Sequence, residues 1–239
     1  MMTMSLAPAT LPEGQRVYAI GDVHGCAARL EALHALIRDD LATRPVAEPT
    51  IVHLGDYIDR GADSAGVLRR LRHGDWRDPP PRLVNLMGNH EAMALAALEG
   101  ADRDSVEHWL ANGGADTLAS WAISPRASPA EWRRSIPADH LDLLRGLATH
   151  HRQGGYVFVH AGLRPGVPMT RQTREDMLWI REPFLSFTGD LPGVVVHGHT
   201  PARSVAVRAN RIGIDTGAVM GGLLTCAVLQ ADRLGFLFA

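Results

Sequence analysis

The chain has 239 residues, of which 46% are hydrophobic and 21% charged, and this composition suits one large globular domain that needs no disulfide framework. Its formal net charge is -2 at pH 7, which lacks the positive excess typical of proteins that bind nucleic acids or membrane surfaces. All 24 basic residues are arginine, and this excludes mechanisms that need a lysine, such as a Walker-type phosphate loop or a Schiff base.

The beginning of the chain carries no targeting pattern. Residues 1–14 lack a basic region followed by an apolar run, so we predict no signal peptide and interpret them as a disordered leader before a domain over residues 15–239. No apolar stretch approaches the roughly 20 residues that a membrane helix requires. The cysteines Cys26 and Cys226 are far apart and indicate neither a structural zinc site nor a secreted scaffold. We expect a cytoplasmic protein without an obligate protein partner.

Five short apolar runs predict buried strands, because each is rich in β-branched residues and stops at a glycine or a polar cluster. They cover residues 16–20, 50–54, 82–87, 156–159 and 194–196.

Helical patterns separate the first strands. Apolar residues recur every three or four positions over 27–41, around 67–71 and over 92–98, and the alternation of strands with helices predicts an α/β fold. Residues 102–150 are polar, with tryptophans and leucines at helix-like intervals, and predict a helical insert. After residue 200 the pattern has period two and predicts a closing β-hairpin.

Side chains that bind metals follow every one of the five predicted strands. Ligands of α/β proteins bind outside the carboxyl ends of the strands, so these side chains are expected to converge. Carboxylates, imidazoles and one amide oxygen suit manganese, iron or zinc better than calcium, and two ions roughly 3.5–4 Å apart would use them all. The side chains are Asp22, His24, Asp56, Asp59, Asn89, His90, His160 and His199.

Five motifs around these residues resemble the signature of the calcineurin-like metallophosphoesterases. More narrowly, they look like the phosphoprotein phosphatase family, which includes bacterial serine/threonine phosphatases and symmetrical diadenosine tetraphosphate hydrolases. The resemblance implies two packed mixed β-sheets flanked by helices, with a dimetal site along one edge and the helical insert nearby. The motifs are GDVHG at 21–25, GDYIDRG at 55–61, GNHE at 88–91, VHAG at 159–162 and GHT at 198–200, and IDTG at 214–217 extends the match.

The same resemblance implies a role for each residue. Asp22, His24 and the bridging Asp56 hold the first ion, while Asp56, Asn89, His160 and His199 hold the second. His90, paired with Asp59, is the general acid. Arg60, Arg181 and Asn89 bind the phosphate. Two divalent ions are the expected cofactors, manganese first, with iron or zinc as alternatives.

The implied reaction is hydrolysis of phosphomonoesters by direct attack of a metal-bridging hydroxide. A serine/threonine protein phosphatase acting on a phosphoprotein or a small phosphorylated substrate is the first interpretation. Alternatives are a symmetrical bis(5'-nucleosyl)-tetraphosphate hydrolase and a non-catalytic metal-binding scaffold. Met87 precedes GNHE, where eukaryotic protein phosphatases of the family usually have arginine, and this indicates a bacterial-type member.

Several residues near the motifs are interpreted as structural. His197 and His53 are expected to pack within strands, and Glu91 to support the start of a helix. The tryptophans of the insert, Trp109, Trp121 and Trp132, are expected to form its core. Trp179, two positions before Arg181, is the tryptophan expected to line the substrate pocket.

Overall fold

The strands form two mixed sheets in the computed structural model, which describes residues 2–100 and 102–239. The predicted α/β class is confirmed. In neighbouring order, the first sheet contains β1 (Ser5–Leu6), β11 (Arg233–Phe238), β10 (Thr225–Gln230), β2 (Gln15–Ile20), β3 (Glu48–His53) and β4 (Arg82–Asn85). The second contains β5 (His150–Gln153), β6 (Tyr156–Val159), β7 (Val194–His197), β9 (Arg211–Gly213) and β8 (Ala206–Val207).

The helices lie on the outer faces of the sheets. None of the helices in the described residues is long and apolar enough to cross a membrane. In chain order they are α1 (Ala27–Thr43), α2 (Ser64–Arg72), α3 (Asn89–Leu95), α4 (Arg103–Trp109), α5 (Ala115–Ser120), α6 (Pro129–Ser135), α7 (Ala138–Arg145) and α8 (Arg174–Trp179).

Strand directions explain how the site is assembled. β2, β3 and β4 run parallel to one another, and β6 and β7 run parallel in the second sheet. Because the side-chain period of a strand is two, each sheet has one face toward the other sheet and one toward helices. Val17 and Val52 of the first sheet share a buried cluster with Phe158 and Val196 of the second. Packing of the two sheets therefore brings the carboxyl ends of their parallel strands together.

The region interpreted as an insert contains four helices, α4 to α7. A π-helical turn at Leu110–Gly114 joins α4 to α5. Trp109, Leu118 and Trp132 are buried in the same apolar cluster as Tyr18 of β2 and Leu68 of α2. The helices of residues 103–145 therefore pack on α2 and α3 and share one apolar core with the first sheet.

The beginning of the chain differs from the prediction of a disordered leader. Ser5–Leu6 pair with β11, and Leu11 is buried between the sheets. The hydroxyl of Tyr156 also donates to the carbonyl of Ala9, at 2.6 Å. A two-residue strand carries no periodicity that a sequence pattern can reveal, and the pairing partner lies at the opposite end of the chain.

Two buried histidines link the first sheet to α1. Nδ1 of His53 donates to Oδ1 of Asn85 at 2.9 Å, because an amide oxygen can only accept. Nε2 of His53 therefore carries a lone pair, and it accepts a hydrogen bond from Nε2 of His34 at 3.0 Å. Burial lowers the pKa of His34 to about 2 and that of His53 to about 4. Both rings are therefore neutral in the folded protein, as the hydrogen-bond pattern requires.

Replacing His34 with glutamine is expected to reduce the loss of stability in acid. The pKa of His34 is lower in the folded protein than its value of about 6.5 in the unfolded chain. The contribution of His34 to the free energy of unfolding is therefore complete above pH 6.5 and is lost as the pH falls. Between pH 7.5 and 5.5 this linkage amounts to about 1.4 kcal/mol per histidine. Urea unfolding at the two pH values measures it, with exposed His73→Gln as the control. Equal pH dependence in both variants would contradict the expectation.

Candidate dimetal active site

Backbone strain is concentrated where the strands end. Seven non-glycine residues in the described part of the chain have φ in the left-handed region, and five of them are predicted site residues. Such φ values are costly for residues with a Cβ, and folded proteins retain them mainly at functional sites. The five are His24 (φ 43°), Asp56 (φ 52°), Asp59 (φ 72°), Arg60 (φ 69°) and His199 (φ 64°).

Four side chains converge at the predicted second ion. Oδ1 of Asn89 lies 2.9 Å from Nε2 of His160 and 3.0 Å from Nδ1 of His199. Oδ1 of Asp56 lies 3.4 Å from the same Nε2 of His160. Because Nδ1 of His160 donates to the carbonyl of Leu54 at 2.9 Å, its Nε2 presents a lone pair to two acceptor oxygens. Such a set of facing lone pairs is stabilised by a cation, and a ring held by a carbonyl is typical of a metal ligand.

The ring of His24 at the predicted first ion is oriented in the same way. Its Nδ1 donates to the carbonyl of Ile58 at 2.8 Å, so Nε2 presents a lone pair 3.4 Å from Oδ2 of Asp56. Nη1 of Arg60 donates to this Nε2 at 3.0 Å and supplies positive charge there. Asp56 therefore directs one carboxylate oxygen to each group, as a bridging ligand must.

Asp22 stands slightly apart from these groups. Ligand atoms of His24, Asp56 and His90 lie within 4.8 Å of one another, and so do those of Asp56, His160 and His199, whereas Asp22 belongs to neither group. Both oxygens of Asp22 accept the backbone N–H of His199, at 3.2 and 3.0 Å. Burial and the nearby carboxylates of Asp215 and Asp56 raise the pKa of Asp22 well above its usual range. This crowding of negative charge is what a bound cation relieves.

The protonation states suit metal binding. Burial lowers the pKa of His24 to about 4 and that of His199 to about 3, and it also lowers the pKa of His160. Burial opposes the charge of Asp56, but His160, His90 and His24 around it outweigh burial and lower its pKa. Neutral His24, His160 and His199 with an ionised Asp56 form a donor set that accepts divalent transition metals.

His90 and Asp59 form a buried pair beside these groups. Nδ1 of His90 lies 2.7 Å from Oδ2 of Asp59, and its Nε2 lies 4.0 Å from Oδ2 of Asp56. Burial opposes protonation of His90, but the carboxylates of Asp56 and Asp59 outweigh burial and raise its pKa. This shift of the pKa favours the charged form of the ring, and Nε2 is directed toward the bridging carboxylate of Asp56.

A cleft of about 470 Å³ opens over this arrangement. Arg60 and Arg181 are exposed and line it together with Trp179, as the sequence predicted for Trp179. Asn112 from the insert and Met220 from a turn after the second sheet also line the cleft. These two positions belong to no motif, and only their placement in space brings them to the site.

Glu91 is a structural residue of the site. Its carboxylate is fully buried and accepts four backbone N–H groups. Oε2 accepts those of Asp56 and Gly88, both at 2.9 Å, and Oε1 accepts those of Tyr57 at 2.7 Å and Ile58 at 3.3 Å. Glu91 therefore supports both the start of α3, as predicted, and the strained turn that presents Asp56.

Replacing Glu91 with glutamine is expected to lower the free energy of unfolding by about 1–3 kcal/mol, because the new amide donor faces backbone N–H groups that lose their acceptor. The matched control is Glu99→Gln, an exposed carboxylate paired with Arg145, which should stay within about 0.5 kcal/mol of wild type. Urea unfolding measures both variants. An unchanged free energy for Glu91→Gln would show that the turn is held by other contacts.

Comparison with known proteins agrees with this geometry. Residues 15–222 match the family described as calcineurin-like phosphoesterase. The chain is 33% identical over 221 residues to serine/threonine-protein phosphatase 1 of Salmonella typhimurium, and the alignment covers 90% of this chain and 93% of that protein.

A second group of relatives has a different name. The chain is 33% identical over 181 residues to a symmetrical bis(5'-nucleosyl)-tetraphosphatase of an Acidovorax species, covering 75% of this chain but about half, 51%, of that protein. A solved structure described as a candidate diadenosine tetraphosphatase superposes with a TM-score of 0.68 at 25% identity, covering 98% of this chain and 99% of that one.

Proposed function

We propose that this chain, which belongs to the calcineurin-like phosphoesterase family and is a metal-dependent phosphoric ester hydrolase, acts as a serine/threonine protein phosphatase. The proposed location is the cytoplasm. The relative named for that activity aligns over nearly the full length of both chains. The observation that carries the proposal is the exposed pair Arg60 and Arg181 in an open cleft above the His90–Asp59 pair.

The donor set fits two divalent ions. His24, Asp56 and Asp22 would hold the first, and Asp56, Asn89, His160 and His199 the second. Manganese is proposed, with iron or zinc as alternatives, because the ligands mix imidazole with oxygen. When bound, such ions acidify water to near neutral pH and neutralise the phosphate oxygens.

The remaining residues act on the substrate. Arg60 and Arg181 would each donate parallel hydrogen bonds to the phosphoryl oxygens and follow their charge into the transition state, with Asn89 nearby. His90 would donate a proton to the departing alkoxide oxygen, because Asp59 orients the ring and raises its pKa, which favours the charged form. The proposed reaction is direct, in-line hydrolysis without a phosphoenzyme.

The second candidate is hydrolysis of dinucleoside polyphosphates at the same site. It is favoured by the structural likeness over almost the whole of both chains to the diadenosine tetraphosphatase candidate. Trp179, half-buried in the cleft wall, offers an aromatic surface for a base.

A side-by-side comparison of kcat/KM separates the candidates. With manganese supplied, the purified chain is assayed on a phosphoserine peptide and on diadenosine tetraphosphate. A preference of about a hundredfold or more for the peptide supports the protein phosphatase. The reverse preference, with only nucleoside diphosphate as product, replaces it with the second candidate. Bound manganese without turnover of either substrate would support a non-catalytic scaffold.

A further inference from the structure

The Asp59 carboxylate receives more hydrogen bonds than its partnership with His90 requires. Nε1 of Trp109 donates to both oxygens of Asp59, each at 3.1 Å. The hydroxyl of Thr117 donates to Oδ1 at 2.6 Å. Asp59 is fully buried, so every one of these donors lies in a region without competing water.

Thr117 also holds the backbone of the same residue. The N–H of Asp59 donates to Oγ1 of Thr117 at 2.7 Å, where φ of Asp59 is 72°. Ser64 at the start of α2 lies 3.1 Å from the same hydroxyl. One threonine therefore orients both the strained main chain and the side chain of Asp59.

Both donors belong to the region interpreted as a helical insert. Trp109 ends α4 and Thr117 lies in α5, 50 and 58 residues after Asp59. Between them, Gly113 has φ 105° and approaches Arg60 so closely that a Cβ there would lie 2.7 Å from the Arg60 nitrogen. The insert thus packs its backbone against the Asp59–Arg60 turn.

We propose that Trp109 and Thr117 are positioning residues for proton donation, and that this is a function of the insert. The inference rests on the proposed role of His90 as the acid. The carboxylate of Asp59 is held at Oδ1 by Thr117 and across both oxygens by Trp109, which leaves Oδ2 directed at Nδ1 of His90. Without these donors the carboxylate of Asp59 would rotate, and Nε2 of His90 would no longer point at the leaving oxygen.

A purely structural role is the competing explanation, because Trp109 is buried and packs edge-on against Trp132 with ring centroids 5.9 Å apart. Trp132 provides a matched control. It is equally buried in the same cluster, but its Nε1 donates to the carbonyl of Ser124 at 2.9 Å. Replacing either tryptophan with phenylalanine removes similar volume, whereas only Trp109→Phe removes a donor to Asp59.

The test uses two esters that differ in their need for the acid. Phenyl phosphate and p-nitrophenyl phosphate share one phosphoryl group, but the nitro group stabilises the departing phenolate, so the second substrate depends less on protonation. Trp109→Phe, Thr117→Val, Thr117→Ser and Trp132→Phe are assayed with manganese in the full chain, and bound manganese is measured in each.

We expect kcat on phenyl phosphate to fall at least about tenfold in Trp109→Phe and Thr117→Val. On p-nitrophenyl phosphate, kcat of the same variants should fall less than about threefold. KM and bound manganese should stay unchanged. Thr117→Ser, which keeps the hydroxyl, and Trp132→Phe should stay within about twofold of wild type on both esters.

Equal losses on both esters, or a loss in Trp132→Phe matching that in Trp109→Phe, would overturn the inference in favour of packing. Unchanged rates in both positioning variants would also overturn it. If Trp109→Phe does not fold, the comparison of Thr117→Val with Thr117→Ser decides. The proposed protein phosphatase activity is tested separately: it is wrong if the wild-type chain prefers diadenosine tetraphosphate to the phosphopeptide. That result would not affect the comparison of the two esters.

Discussion

Asp56→Asn is expected to reduce kcat on every phosphoester by more than about a thousandfold, because the pKa of water rises back from about 7 toward 15.7 when the metal centre is lost. Asp56 directs Oδ2 at His24 and Oδ1 at His160, each at 3.4 Å. Asparagine has one oxygen and an amide donor in place of a bridging carboxylate. We therefore expect bound manganese to fall together with activity.

The control for this substitution is Asp63→Asn, which makes the same chemical change seven residues along the chain. Asp63 caps α2 by accepting the N–H of Gly66 at 2.7 Å, and asparagine caps helices equally well. The activity and the metal content of Asp63→Asn should match those of wild type. Full phosphatase activity in Asp56→Asn, or in Asp22→Ala, would contradict the proposed site.

His90→Asn is expected to lower kcat by about 10²–10⁴-fold on substrates with a poor leaving group, because asparagine does not protonate the departing oxygen. His90 also lies near His24, with ring centroids 4.6 Å apart, and its Nε2 approaches the bridging carboxylate. The variant therefore distinguishes an acid from a ligand. Loss of activity with both manganese ions retained identifies the acid, and loss of one ion identifies a ligand.

The measurement for His90→Asn combines steady-state kinetics with the metal content of the dialysed protein. His150→Asn replaces an exposed histidine at the start of β5 and should behave as wild type in both. A full rate in His90→Asn on phenyl phosphate would exclude His90 from proton transfer. The same result would remove the basis for the roles of Trp109 and Thr117.

The local pattern of the sequence predicted where the candidate site residues lie in the fold. A buried strand has a strong signal of its own, and a turn directly follows it, so Asp22, Asp56 and His160 could be placed at strand ends without knowledge of any contact. Parallel pairing of β2 with β3 then brings two of these ends side by side. The motif resemblance added the expected partner of each residue.

Contacts between distant segments were decided only by the tertiary structure. Ser5 pairs beside Leu234 at the opposite end of the chain, and Thr117 reaches Asp59 across 58 residues. Trp109 was interpreted as core of the insert, and it is buried as predicted, but its indole N–H also donates to Asp59. Burial of a side chain follows from its apolar character. The hydrogen-bond partner of a buried donor depends instead on which helix packs over which turn, and the periodicity of the sequence does not predict that packing.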